Sequence, residues 1–328
     1  MCERTLVPVV CHKISSLKTT RVLFTNTFTE MVESKYKPIG INEFRNPLFY
    51  RAFAAEFIGT LLLVLVGCGA ITGDRSPVVA QLQISLVFGF TVGTIVWIFG
   101  NSSGGHINPA VTVAMWAVGN ITFVKAVFYI VAQVTGAVGG AALLNVLTPA
   151  NATDGGKKLG ANLLSPGVTV SQGVGIEIFC TLVLVFTVFA ACDGSRTDLS
   201  GSRPLSIGIA VTMAHLYAHE YTGCSMNPAR SLGPALISDT WTNHWVYWVG
   251  PLVGGLIAGF LYEFIFAEDA SVKKLKRYLA CRCRSLLEEG EESSCTNKEE
   301  DFQNNDSDFK PVEFRGYQNH AYIESTHF

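Results

Sequence analysis

The chain has 328 residues, 49% of them hydrophobic and 15% charged, with a mean hydropathy of +0.33. That balance fits an ordinary soluble enzyme poorly. A net charge of −2, from 24 basic and 26 acidic residues, argues against a nucleic-acid partner, which needs a basic excess to neutralise phosphates. Charge gathers at both ends and leaves long stretches of the middle bare, the pattern of a membrane core between wet tails.

In chain order, residues 1–49 form a cytoplasmic tail whose single short apolar run, Leu6 to Cys11, is below the length of a signal-peptide core, so no cleaved signal is expected. A helix crossing the hydrocarbon layer needs about 20 mostly apolar residues. Six runs qualify: Tyr50–Thr72, Val78–Gly100, Thr122–Leu147, Gln172–Cys192, Pro204–Ala218 and Trp245–Phe266. The fifth is short and ends among His215, Tyr217 and His219. Two more apolar stretches, Asn108–Val118 and Asn227–Ile237, have half the spanning length and are expected to be re-entrant half-helices. The expected fold is therefore all-α and polytopic, with six transmembrane helices and two half-helices. Residues 50–267 make the channel domain, with repeats over about 50–147 and 172–267, and residues 268–328 make a largely disordered cytoplasmic tail rich in Glu, Ser, Asn and Gln.

Basic residues set the orientation. Lys35, Lys37, Arg45 and Arg51, then Arg196 and Arg203, then the run from Lys273 to Arg284 fall on one side. Outside the second half-helix, only Arg75, Lys157 and Lys158 fall on the other. Both termini are expected in the cytoplasm, and Asn151-Ala-Thr153 then faces outward as a candidate glycosylation acceptor. Of nine cysteines, Cys68, Cys180 and Cys192 lie in apolar runs and five lie in the tails, so no disulfide framework is implied. The lone Cys281-x-Cys283 lacks the second ligand pair a metal needs and suits palmitoylation better. No metal or other cofactor is expected.

An internal repeat organises the middle of the chain. Glu56-x-x-x-Thr60-Leu61-x-Leu63-Val64 recurs as Glu177-x-x-x-Thr181-Leu182-x-Leu184-Val185 at an offset of 121, and Asn108-Pro109-Ala110 recurs as Asn227-Pro228-Ala229 at 119. Three spans per half force the halves to insert with opposite topology, which puts function at the midplane where the broken helices meet. Asparagine is a strong N-cap and proline is favoured at the first helical position, so each triplet starts a half-helix. Polar backbone at that depth is tolerated only against protein or a water-filled cavity. Two N-termini meeting tip to tip bring their partial positive charges together, about +0.5 each. A passing water should turn its oxygen to Asn108 and Asn227, which breaks the proton wire while the field repels cations. The buried carboxylates Glu56 and Glu177 are expected to hold loop backbone behind the half-helices rather than to move substrate. Gly136, Gly139 and Gly140, and Gly250, Gly254, Gly255 and Gly259, read as close helix-packing positions.

With these residues in view, the chain resembles the aquaporins, and their water-selective branch in particular, over about Tyr50 to Phe266. The stretches that carry the likeness are Ala55-Glu56-Phe57, Ser103 to Val111 with His106 among them, and Tyr221 to Ser231. The resemblance implies a homotetramer in the plasma membrane with one pore per subunit and His106 among the loop-supporting residues. It also implies a second constriction made by Phe88, His215, Cys224 and Arg230. Glycerol-conducting relatives usually have a small residue at the histidine position and an aspartate after the arginine, whereas here His215 is present and Ser231 follows Arg230. Cys224 as a pore-lining thiol implies block by mercurials. His219 is a departure from the family pattern: a solvated loop residue, or a titratable group that lends permeability a pH dependence. Water is the expected permeant and the bilayer the expected surroundings, with cytoplasmic partners of the tails unknown. Two other readings stay open: a broader water, glycerol and urea pore, and a junctional or adhesive membrane protein, for which the short outer loop Gly73–Pro77 allows close apposition. No Walker loop, metal cluster or Ser-His-Asp set points to an enzyme.

Overall fold

A computed structural model describes residues 40–72, 77–149, 158–198, 201–276 and 278–280. The candidate acceptor Asn151, the Cys281-x-Cys283 pair and most of both tails lie outside these residues. The described residues are helical and loop, with a 3₁₀ turn at Ile41–Arg45 leading into α1, Pro47–Leu62. There follow α2, Pro77–Ser103; α3, Pro109–Ala117; α4, Phe123–Leu147; α5, Val170–Cys192; α6, Arg203–Thr222; α7, Pro228–Ser238; and α8, Val246–Leu261. α1 runs on as a π-helical turn, Leu63–Cys68, and α8 as another, Tyr262–Phe266.

The helix starts follow local chemistry. Asn46, Asn108, Thr122, Thr169, Ser202 and Asn227 each accept a backbone N–H with the side chain, and Thr169 completes a reciprocal cap with Gln172. Proline stands in the first turn of α1, α3, α6 and α7, where its missing N–H costs nothing. Five helices among the described residues are long and apolar enough to cross a membrane: Pro47–Cys68, Val79–Ser103, Phe123–Leu147, Val170–Cys192 and Val246–Phe266. α6 supplies the sixth span with 20 residues, a rise of about 30 Å. It corrects the sequence expectation at one end: the helix continues past Ala218 through His219 and Glu220 to Thr222, where Gly223 at φ 72° closes it.

The repeat is visible in the packing. α1 lies on α4 as α5 lies on α8, and α2 packs on α6 across the molecule. The half-helix of each repeat docks on the last span of the other, α7 on α4 and α3 on α8. Backbones meet closely where α1 lies on α4 and where α5 lies on α8. A Cβ on Gly136 or Gly140 would stand 2.3 or 2.4 Å from the carbonyl oxygen of Phe57 or Leu61, and one on Gly254 would stand 2.3 Å from that of Ile178. Gly139 is the exception among the glycines read as packing positions, since a Cβ there would meet only side chains, Leu61 at 3.6 Å and Phe57 at 4.0 Å, which are ordinary contacts.

Candidate functional site

The two half-helices bring their N-termini together. Asn108 and Asn227 are extended caps whose Oδ1 atoms accept from the first backbone amides of their own helices: Ala110 N at 2.8 Å, and Ala229 N and Arg230 N at 3.0 and 3.2 Å. Their Nδ2 atoms cross to the other half, Asn108 donating to the carbonyl of Met226 and Asn227 to that of Ile107, both at 2.8 Å. A carboxamide has two N–H donors, so each asparagine keeps one beyond that bond. Pro109, Ala110, Pro228 and Ala229 are buried directly behind the caps.

The two carbonyls can accept across the molecule because Ile107 and Met226 sit in the left-handed region, at φ 45° and 51°. Side chains of this kind rarely adopt that conformation. Buried carboxylates hold it in place. Glu56 accepts from Ile107 N at 2.6 Å, His106 N at 2.9 Å, Ser103 Oγ at 2.6 Å and Gln133 Nε2 at 2.8 Å. Glu177 accepts from Met226 N at 2.8 Å, Ser225 N at 2.9 Å and Thr222 Oγ1 at 2.7 Å. His106 also meets Thr112 through Nδ1 at 3.2 Å and packs edge-on against Tyr129.

The structure brings Phe88, His215 and Arg230 into one cluster. The Phe88 ring stacks on His215 with centroids 4.3 Å apart, and the Arg230 guanidinium lies 5.0 Å from the Phe88 centroid. Phe88 fits because Gly67, in the π turn ending α1, has no Cβ in its way: one there would come within 2.6 Å of the ring. Arg230 is 1% exposed, and its Nη1 donates to the carbonyl of Gly160 at 2.8 Å. His215 uses Nδ1 on the carbonyl of Val211 at 3.0 Å. What remains is a set of buried polar atoms without a protein partner: Nε and Nη2 of Arg230, Nε2 of His215 and the hydroxyl of Tyr247. Cys224 follows Gly223 in the loop before α7 and is fully buried, as is Cys180 on α5.

Several members of this arrangement carry no signal in the sequence. Gly160 and Asn162 stand in a loop without a motif. Yet Gly160 takes the Arg230 guanidinium, and Asn162 bonds Ser231 Oγ through Oδ1 at 2.7 Å and the carbonyl of Thr222 through Nδ2 at 3.2 Å. Ser103 and Thr222 do carry a signal, since they answer each other in the repeat at an offset of 119, each donating to the carboxylate of its own half.

Six spans with two half-helices meeting between inverted halves define a polytopic membrane protein of the channel type. Comparison with known proteins narrows this. The major intrinsic protein family model matches residues 43–262, and the chain belongs to that family. It is 48% identical over 230 residues to aquaporin-4 of Mus musculus, covering 69% of this chain and 70% of that protein. It is 46% identical to aquaporin-2 of Bos taurus (73% and 86% covered) and 43% identical to aquaporin-1 of Homo sapiens (70% and 87%). Among solved structures it is similar to the aquaglyceroporin from Plasmodium falciparum, with a TM-score of 0.59 and 23% identity over 66% of this chain and 96% of that one, a likeness of fold.

Proposed function

We propose that this chain is a passive, water-selective channel, a conductor and not an enzyme, in which water passes in single file down osmotic gradients and protons and ions are excluded. The observation that carries the reading is the pairing of two facing half-helix N-termini with buried, unpartnered N–H donors on Arg230 and the unpartnered Nε2 of His215. Buried polar atoms are ordinarily satisfied by protein or by water, so donors left over along a membrane axis are suited to a file of water. Asn108 and Asn227, with the partial charges of α3 and α7 behind them, orient each water by its oxygen and interrupt proton hopping. Phe88, His215, Cys224 and Arg230 form the filter. Its aromatic wall narrows the lumen, and its donors replace hydrogen bonds that a water gives up and a carbon chain cannot use.

The Lys and Arg distribution supports cytoplasmic termini, and the orientation and family likeness together support a plasma-membrane homotetramer. Exposed apolar residues such as Phe90 and Trp97 on α2, and Ile209 and Met213 on α6, give each subunit a face for lipid or for its copies. The test is stopped-flow light scattering of proteoliposomes under an osmotic gradient and then a glycerol gradient, with internal pH recorded. Fast water flux, slow glycerol entry and an internal pH that ignores an imposed proton gradient are expected. Rapid glycerol entry would favour the broader pore, and vesicle clustering without water flux would favour the adhesive reading.

A further inference from the structure

The chain stays close to its last span after leaving it. The π turn Tyr262–Phe266 ends that span, and residues 272–276 and 278–280 are helical again. Tyr278 is buried, with its ring 6.2 Å from that of Phe260 and 5.1 Å from that of Phe264, both within the last two turns of the span. A segment running straight out into water could not touch those rings, so this one lies level with the lipid headgroups. Its two sides differ. Lys274, Leu275 and Tyr278 turn inward, Lys274 onto Glu263 and Asp269. Val272, Lys276 and Leu279 recur at i, i+4 and i+7, the spacing of a single helix stripe, and all three are exposed together with Lys273 and Ala280 beside them. Val272 is 70% and Leu279 51% exposed, so the tertiary packing leaves this stripe uncovered.

We propose that the outward face of residues 272–280 docks on anionic phospholipid of the cytoplasmic leaflet, with Val272 and Leu279 entering the acyl boundary and Lys273 and Lys276 meeting headgroup phosphates. Apolar side chains interleaved with lysines at this depth are the composition of a helix that lies in the membrane interface. Charge chooses the lipid. From Lys273 to Arg284 the sequence holds six basic residues, Lys273, Lys274, Lys276, Arg277, Arg282 and Arg284, and no acidic one. Lys274 is taken up by Glu263 and Asp269, which leaves the outward lysines to set the charge of the exposed face. A basic cluster directly after a span is drawn to anionic headgroups and gains little from zwitterionic ones. A soluble acidic partner would match the lysines, but it would have to displace headgroups to reach a face held at this level. The hold comes from Tyr278, whose hydroxyl donates to the carbonyl of Ala117 at the end of α3 and so fixes which side of the segment looks outward.

The inference rests on the reading of cytoplasmic termini only for which leaflet supplies the lipid, and the test keeps the two apart. The purified full chain is placed in nanodiscs of phosphatidylcholine alone or mixed with phosphatidylserine, which offer the same lipid on both faces, and hydrogen exchange is followed over residues 272–280. Phosphatidylserine should slow exchange there about fivefold or more in wild type, and salt should shrink the difference. The variants Lys273→Gln/Lys276→Gln/Arg277→Gln and Val272→Ser/Leu279→Ser should each lose the difference while keeping the wild-type thermal midpoint in phosphatidylcholine, because Tyr278 and Lys274 stay in place. No response to phosphatidylserine in folded wild type overturns the docking. So does a response that survives Val272→Ser/Leu279→Ser, which would be loose attraction of charge without a seated face. Slow exchange in both lipids that disappears when Glu288, Glu289, Glu291 and Glu292 are all changed to Gln gives the face to the chain's own acidic stretch and overturns the docking as well. A full lipid response from a chain whose C-terminus is reached by antibody outside intact cells counts against the orientation alone.

Discussion

Ile107 and Met226 are bulky residues at φ 45° and 51°, and such conformers cost about 1–3 kcal/mol each unless their surroundings over-determine them. Here the amide of each is held by a buried carboxylate, and the carbonyl of each by the asparagine of the other half. The strain is what points the two carbonyls across the centre. Glu177→Gln should therefore act as more than a lost charge: three donors converge on that carboxylate, and a carboxamide must turn its own N–H₂ toward one of them. Bonds to a charged acceptor contribute about 1.5–3 kcal/mol each. The variant is expected to lose about 1–3 kcal/mol, read as a lower thermal unfolding midpoint in detergent, with water flux reduced in the fraction that folds. An unchanged midpoint would mean the carboxylate is dispensable to the loop. Cys224 invites a milder test. Mercurials should slow wild-type flux, and Cys224→Ser should conduct while resisting them; block that persists would shift attention to the buried thiols of Cys68 and Cys180.

At the level of elements, packing depends on where backbones touch. Gly254→Val would drive a side chain into the Ile178 carbonyl, and overpacking of this kind costs about 1–3 kcal/mol. Gly139→Ala would gain an ordinary contact with Leu61 and should be neutral. Thermal midpoints of the two variants side by side check this, and equal losses would contradict the close-approach account. The same elements show what a sequence can reveal. Spans are legible because a charge-free run has nowhere else to go, and half-helices because a cap followed by proline opens an apolar stretch too short to cross. The end of α6 is not legible, since His219 and Glu220 look like loop residues while the backbone stays helical to Thr222. The π turns at Leu63–Cys68 and Tyr262–Phe266 are equally silent, because a widened turn has no local residue signature. Gly160 and Asn162 meet the α6–α7 region only through the tertiary fold, so nothing near them in sequence marks their partners.

Over the whole molecule the two halves are related but unequal, and the difference lies beyond the last span. A short helix over residues 272–276 follows α8, and Tyr278 behind it is buried, packing against Phe260 and Phe264 and donating its hydroxyl to the carbonyl of Ala117 at the end of α3. Lys274 reaches Glu263 at 2.8 Å and Asp269 at 2.7 Å and is mostly buried in doing so. The last carbonyls of a helix lack partners within it, so Tyr278 satisfies one that the first half-helix leaves open. Among the described residues no such strap reaches α7, whose C-terminal end at Ser238 leads directly into the turn before α8. Truncation after residue 267 should consequently destabilise the first half-helix more than the second. A neutral hydrogen bond contributes about 0.5–1.5 kcal/mol, and the aromatic packing lost with it adds to that. The truncated chain is expected to fold, conduct water and unfold at a lower temperature, and Tyr278→Phe should reproduce part of the shift by removing the hydroxyl alone. Hydrogen exchange gives the sharper reading: amides of α3 should lose protection in both variants while those of α7 keep theirs. Equal loss in the two half-helices would mean that the segment steadies the molecule generally, without the directed support of α3 that the Tyr278 contact supplies.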